Sequence, residues 1–193
     1  MKKLESTWYN MAVVLTLIAV IAGASLAGVN ELTKEPIAEI QKQTLADGIR
    51  AVLKADKVEV QSTDSLENGA VIYTTDCGKA VQASDPNGFG GKLTVLVGFA
   101  DDGSILGYKI LQTSETPGLG AKAEIWFQEG QKGNIIGKKA GNLTVSKDGG
   151  DVDAITASTI TSRAFLRCVN AAYEALQTET VADCESGASK QMH

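Results

Sequence analysis

The stretch Lys92–Ser114, KLTVLVGFADDGSILGYKILQTS, decides how the chain is read. Two β-rich runs, KLTVLVGFA (92–100) and SILGYKILQTS (104–114), flank Asp101-Asp102-Gly103. Asp-Gly between two such runs is a strong short-range hairpin signal, because glycine supplies the positive φ that a tight turn requires. A second hairpin is expected just before it, from GAVIYTT (69–75) and GKAVQAS (78–84) around Asp76-Cys77-Gly78. KVEVQ (57–61) alternates as a short strand, and NLTVSK (142–147) is one strand-like piece in a Gly- and Lys-rich region, 131–150. Residues 31–56 read as a helix: Ile37, Ile40, Leu45, Ile49, Val52 and Leu53 recur at helical intervals, with Pro36 expected to start or kink it. A short helix is expected over AEIWFQEG (123–130), and a last one from Thr159 to Gln177 with Phe165, Leu166, Val169, Ala172, Tyr173 and Leu176 on one face. The tail from 178 is polar and expected to fray. Hairpins with helices at the ends define an α+β domain.

Ahead of this domain, Ser6 to Asn30 carries no charge. Its apolar part, Met11 to Val29, has 19 residues. As a helix these rise about 28 Å, close to the hydrocarbon thickness of a bilayer. Lys2 and Lys3 precede it, and Trp8 and Tyr9 stand at the expected interface. The positive-inside rule then keeps the N-terminus cytoplasmic and sends the rest across the membrane. Ala22-Gly23-Ala24 and Ser25-Leu26-Ala27 resemble signal-peptidase sites, but the apolar run is longer than a usual signal sequence, which favours an uncleaved single-pass anchor.

Composition removes several function classes. The net charge is −5 and the 18 Lys and Arg are scattered, so no nucleic-acid partner is expected. The one histidine, His193, is the last residue, which argues against a Ser-His-Asp triad and a histidine metal site. Cys77, Cys168 and Cys184 form no CxxC pair, so neither zinc nor iron–sulfur ligation is supported. Pairing of Cys77 with Cys184 stays open, whereas Cys168, flanked by apolar residues in the last helix, reads as a packing residue.

Two segments are candidates to carry chemistry. The first, DAITASTITS (153–162), is half Ser and Thr and opens the last helix. Read alone, it is a helix cap: Thr159 at the N-cap, with Thr156, Ser158 and Thr161 helping to satisfy free backbone N–H groups. A helix N-terminus also favours a phosphate, and a hydroxyl there can bear one as an ester once an enzyme has formed the bond. The second, SETPGLGAK (114–122), breaks the strand pattern. Pro117 fixes the approach to a turn, Gly118 and Gly120 allow close backbone approach, and Leu119 between them is displayed, so the segment reads as a loop able to pack on a flat ligand.

The two segments together resemble the covalent FMN-binding proteins of ion-pumping respiratory complexes: RnfG of the RNF complex and NqrC of the sodium-pumping NADH:quinone reductase. ETPGLG stands intact as Glu115 to Gly120. The flavinylation motif of that family, which ends on the hydroxyl that bears FMN through its phosphate, is matched by Asp153, Ala154, Ile155, Thr156, Ala157, Ser158 and Thr159. Ala157 stands where glycine is common and Ser158 where alanine is usual. The pair of motifs, about 35 residues apart behind one anchor, makes the resemblance cover nearly the whole chain. At 193 residues the chain matches the shorter RnfG better than the usually longer NqrC.

The resemblance implies the following. Residues 1–30 form the cytoplasmic N-terminus and transmembrane anchor, 31–56 a helical stalk, 57–178 the covalent FMN-binding domain and 179–193 a polar tail. Thr159 carries the FMN phosphoester. Asp153, Thr156 and Ser158 shape that site or serve its recognition by a flavin transferase, and Thr116, Gly118, Leu119 and Gly120 line the ring. Lys109 and Lys122 are weaker candidates to stabilise a reduced flavin, and Trp126 and Phe127 are expected in the core. The implied role is an electron relay between ferredoxin and NAD within a membrane complex that moves Na⁺ or H⁺. The implied partners are the other membrane proteins of that complex and the bilayer, with the domain on the periplasmic side of a bacterial inner membrane. A stand-alone extracytoplasmic flavoprotein carrier and a colourless membrane-anchored binding module are the alternatives.

Overall fold

The computed structural model describes residues 8–55, 58–66 and 69–189, with backbone alone over 180–189. The chain divides into two compact units, Met1–Gln43 and Thr44–His193. The first is helical over its described residues. Helix α1 (Trp8–Leu53) is long and apolar enough to cross a membrane, and Leu15, Leu17, Ile18, Val20 and Ile21 are all exposed on it. The hydroxyls of Thr16 and Ser25 each donate to a carbonyl one turn back, at 2.8 Å, so neither is left unpaired. Pro36 lies inside this helix and does not start it.

In the second unit, five antiparallel strands follow one another in chain order: β1 (Val60–Ser65), β2 (Val71–Thr75), β3 (Gly78–Gly88), β4 (Gly91–Phe99) and β5 (Ile105–Gln112). Both expected hairpins form. At the β4–β5 turn Gly103 has φ +79°, and Asp102 Oδ1 accepts from the N–H and hydroxyl of Ser104 at 2.9 and 2.6 Å. At the β2–β3 turn the Thr75 hydroxyl donates to the Gly78 carbonyl at 2.6 Å.

Helices cover both faces of this sheet. Helix α3 (Thr159–Ser189) lays Phe165, Leu166, Val169 and Ala172 over one face, against Ile72, Val81, Val95 and Val97. The end of α1, from Leu45 to Leu53, packs on the other against Tyr73, Ala80 and Leu96. Strand β4 is therefore buried on both sides, and this is why LTVLVGF is a continuous apolar run where a one-sided antiparallel strand would alternate. The approach of α1 depends on missing side chains. A Cβ on Gly98 would lie 2.6 Å from the Val52 carbonyl oxygen, and one on Gly107 would lie 3.0 Å from it.

Several elements differ from the sequence expectation. The first strand begins at Val60, and of its expected range Lys57 lies outside the described residues. The helix expected over 123–130 is one turn, α2 (Ala123–Trp126), because Phe127 turns inward and stacks on Phe165 at 4.3 Å. Residues 142–147 form no strand. A single parallel bridge, Val145 with Val152, precedes a 3-10 turn, Ser146–Asp148, and Asn170 of α3 takes the N–H groups of Gly141 and Leu143 that a ladder would have used. Helix α3 does not end at Gln177 but continues to Ser189, through residues without a breaker before Gly187. The second compact unit begins at Thr44, ahead of the boundary expected at 57, because Ile49, Val52 and Leu53 belong to its core.

Candidate functional site

The strand β5 and the helix α3 deliver the two motif segments to one place. A cavity of about 290 Å³ is lined by Glu115, Thr116, Leu119 and Gly120 from the first segment and by Ala157, Ser158, Thr159 and Ile160 from the second, with Phe89 from the β3–β4 turn. Its volume sits at the lower end for small-molecule sites, about 300–1,000 Å³. Leu119 is 43% exposed and Ile160 50%, so apolar surface faces the opening.

Hydrogen bonds tie the halves together. Ser158 donates through its hydroxyl to Thr161 Oγ1 at 2.8 Å, and Thr161 donates in turn to Glu115 Oε2 at 2.9 Å. All three residues are buried. The other oxygen, Glu115 Oε1, is buried without a partner, a costly condition for a polar atom and one that a ligand donor would relieve. Glycines leave room for this carboxylate: a Cβ on Gly120 would collide with Glu115 Oε2, and one on Gly88 would meet Oε1 at 2.9 Å. Behind the loop, Tyr108 donates to the Ala123 carbonyl at 2.7 Å and accepts from the Phe127 N–H at 3.2 Å. Burial raises the Tyr108 pKa well above its ordinary value, so the phenol stays a neutral donor.

The helix start departs from the simple cap. Thr159 is the first helical residue, so Ser158 occupies the N-cap position expected for Thr159, and its carbonyl accepts from the Ser162 N–H at 3.1 Å. Ser162 Oγ accepts from the Ile155 N–H at 2.9 Å and donates to the Ser158 carbonyl at 3.0 Å, which closes the preceding turn. Ala157 reaches this geometry with φ +63°, the left-handed region that favours glycine. The hydroxyl of Thr159, in contrast, belongs to a half-buried residue at the cavity and is approached by Lys147 Nζ at 3.4 Å.

Of the expected site residues, Thr116, Leu119, Gly120, Ser158 and Thr159 come together around the cavity, and Gly118, Thr156 and Asp153 do not line it. Gly118 makes the turn at φ +79°. Asp153 braces the loop: its carboxylate accepts from Ser146 Oγ at 3.2 Å and its carbonyl from Trp126 Nε1 at 2.8 Å. Lys109 pairs with Glu124 at 3.0 Å, and neither it nor Lys122 lines the cavity. Phe127 is fully buried in the core, with Trp126 partly buried against it. Cys168 is buried and its thiol pKa is pushed up to about 12 by that burial, so it is inert packing. Among the described residues Cys77 is an exposed thiol with no disulfide partner, and the side chain of Cys184 lies outside them. Sequence reading misses Lys147, Phe89 and Ile160 as neighbours of the site, and gives Glu115 no role.

A two-motif cavity on an α+β sheet defines the class: residues 88–174 match the family model of the FMN-binding domain, and residues 1–52 match the RnfG N-terminal region. The chain is 30% identical over 187 residues to the G component of the ion-translocating oxidoreductase complex of Aliivibrio fischeri (strain MJ11), covering 86% of this chain and 89% of that one. It is 31% identical to the same component of Escherichia coli (strain K12), over 82% and 86% of the two chains, and 32% identical to that of Yersinia pestis, over 89% and 91%. The chain belongs to the RnfG family, the G component of the ion-translocating oxidoreductase complex.

Proposed function

We propose that this protein is the electron-transfer subunit of an RNF-type ion-translocating oxidoreductase complex, carrying FMN joined through its phosphate to Thr159. The observation that carries the reading is the convergence of residues 115–120 and 157–160 on one cavity, within a chain of the RnfG family. The residues present fit the group. Leu119, Ile160 and Phe89 offer apolar surface for the ring, Glu115 keeps an unpartnered buried acceptor, and Thr159 stands at a helix N-terminus that favours phosphate.

Bound flavin supplies one- and two-electron redox chemistry; the protein positions it and tunes its potential. Thr159 anchors the phosphate. Thr116, Leu119 and Gly120 would border the ring, and Ser158 and Thr161 hold Glu115 in place at the cavity. Hydrogen bonding supports Thr159 over Ser158: Ser158 is buried and its proton is committed to Thr161, whereas Thr159 is a half-buried residue at the cavity. A flavin transferase forms the ester, since a free threonine hydroxyl is a weak nucleophile. The apolar helix anchors the chain in a bilayer with the domain on the periplasmic side, by the charge rule for its N-terminus. Electron passage between ferredoxin and NAD through the other membrane proteins of the complex completes the role.

Co-expression with and without a flavin transferase tests this. A fluorescent band surviving denaturation is expected only with the transferase, with the added mass of one FMN less water. A colourless chain in both cases rejects the reading.

A further inference from the structure

We infer that Lys147 supplies the counter-charge to the flavin phosphate, held over the attachment hydroxyl by the one-turn segment Ser146–Asp148; this rests on the flavin reading above. Three consecutive side chains of that segment each contact the attachment region. Ser146 Oγ donates to Asp153 Oδ1 at 3.2 Å, Lys147 Nζ donates to Thr159 Oγ1 at 3.4 Å, and Asp148 pairs with Arg163 through two hydrogen bonds of 2.6 and 2.7 Å. The outer two contacts fix the turn at both ends of the 153–163 region, and the middle one is left pointing its ammonium at the single hydroxyl proposed to be esterified.

Among the described residues the charge on Lys147 is not used elsewhere. It forms no ion pair among them, and the adjacent carboxylate of Asp148 is taken by Arg163. Arg163 holds the Asp148 carboxyl below its ordinary pKa, so that pair persists at neutral pH and Arg163 is not the free cation. Lys109 is paired with Glu124. A phosphate bonded to Thr159 Oγ1 would bring a negative charge to the Lys147 ammonium already beside that oxygen, at a helix N-terminus that itself favours anions. The 3-10 turn at 146–148, which breaks the strand expected there, is what gives Lys147 this position.

The test uses the full chain in detergent, with and without flavin attached by the transferase. Trace acetylation of lysines is followed by mass spectrometry, with Lys92 and Lys132 as internal references. Attachment is expected to slow acetylation of Lys147 at least several-fold and to leave the references unchanged. The phosphorus resonance of the attached phosphate is then compared among wild type, Lys147→Gln and Lys147→Arg. It is expected to move in the Gln variant and to stay near wild type in the Arg variant. Unchanged acetylation of Lys147, or a resonance that does not move in the Gln variant, or moves equally in both, overturns the inference. Absence of attached flavin in the wild type overturns the functional reading instead. Lys147 is exposed, so neither variant is expected to unfold, and a thermal melt checks this.

Discussion

At the scale of single residues, adjacent hydroxyls have opposite fates. Ser158 turns inward to Thr161, whereas Thr159 lines the cavity and its hydroxyl is approached by Lys147 Nζ. Thr159→Val is therefore expected to abolish the covalent fluorescent band while leaving the fold intact. Ser158→Ala is expected to keep the band and to lower stability by about 0.5–1.5 kcal/mol, the usual net worth of one hydrogen bond. Loss of the band in the Ser158 variant alone would assign the wrong hydroxyl. Ala157 offers a second test. It sits at φ +63°, where a Cβ is strained, so Ala157→Gly is expected to raise the denaturant midpoint by an amount equivalent to about 0.5–1 kcal/mol. Sequence reading can mark Ala157 as a departure from glycine, yet only the backbone angle gives that departure a physical meaning. Glu115 and Lys147 are beyond sequence reading for a different reason. Their partners lie 46 and 12 residues away, and no local spacing rule connects them.

Among the elements, what is legible has local causes. The hairpins are readable because Asp-Gly and Cys-Gly turns are fixed by their own residues, and α3 because its apolar face repeats within one segment. The 142–147 segment misleads because its alternation, Leu143 and Val145 inward, serves packing under Asn170 and not a ladder. The junction of β3 with α3 lends itself to a pH experiment. Burial alone would raise the pKa of Asp85, but the Arg167 guanidinium and the Asn87 N–H outweigh it and hold the carboxyl below its ordinary value. A depressed carboxylate stabilises the fold above the unfolded-state pKa, about 3.9 for Asp, and that contribution vanishes as pH falls through the folded-state value. The melting temperature of wild type is accordingly expected to exceed that of Asp85→Asn at pH 7, with the gap closing below about pH 4. A gap independent of pH would mean that the pair acts by shape alone. At the other face, Gly98→Ala forces a methyl to within 2.6 Å of the Val52 carbonyl oxygen, where backbone meets backbone. It is expected to destabilise the domain by about 1–3 kcal/mol in chemical denaturation.

For the molecule as a whole, the helix whose first part is long and apolar enough to cross a membrane ends as part of a core. Residues 8–43 expose their apolar side chains, whereas Ile49, Val52 and Leu53 are buried against the sheet. Exposure of apolar side chains gives way to burial near Thr44, within the residues assigned to α1. A stalk up to 56 is the natural sequence reading because the helical period runs unbroken through it; burial of the last turns depends on Gly98 and Gly107, some fifty residues further on. This sets where the flavin-bearing part can be cut free. A fragment beginning at Thr44 keeps the helix end over Tyr73, Ala80 and Leu96 and is expected to fold, to stay soluble and to accept flavin from the transferase. A fragment beginning at 57 loses Ile49, Val52 and Leu53. At about 1.5–3 kcal/mol for each large apolar side chain, that loss rivals the whole stability of an ordinary domain, about 5–15 kcal/mol. It also bares the second face of β4, which carries the motif-bearing hairpin with β5. The shorter fragment is expected to aggregate or to show no cooperative melt, and to take up little flavin. Equal melting and equal flavin loading of the two fragments would show that the helix end is only a tether.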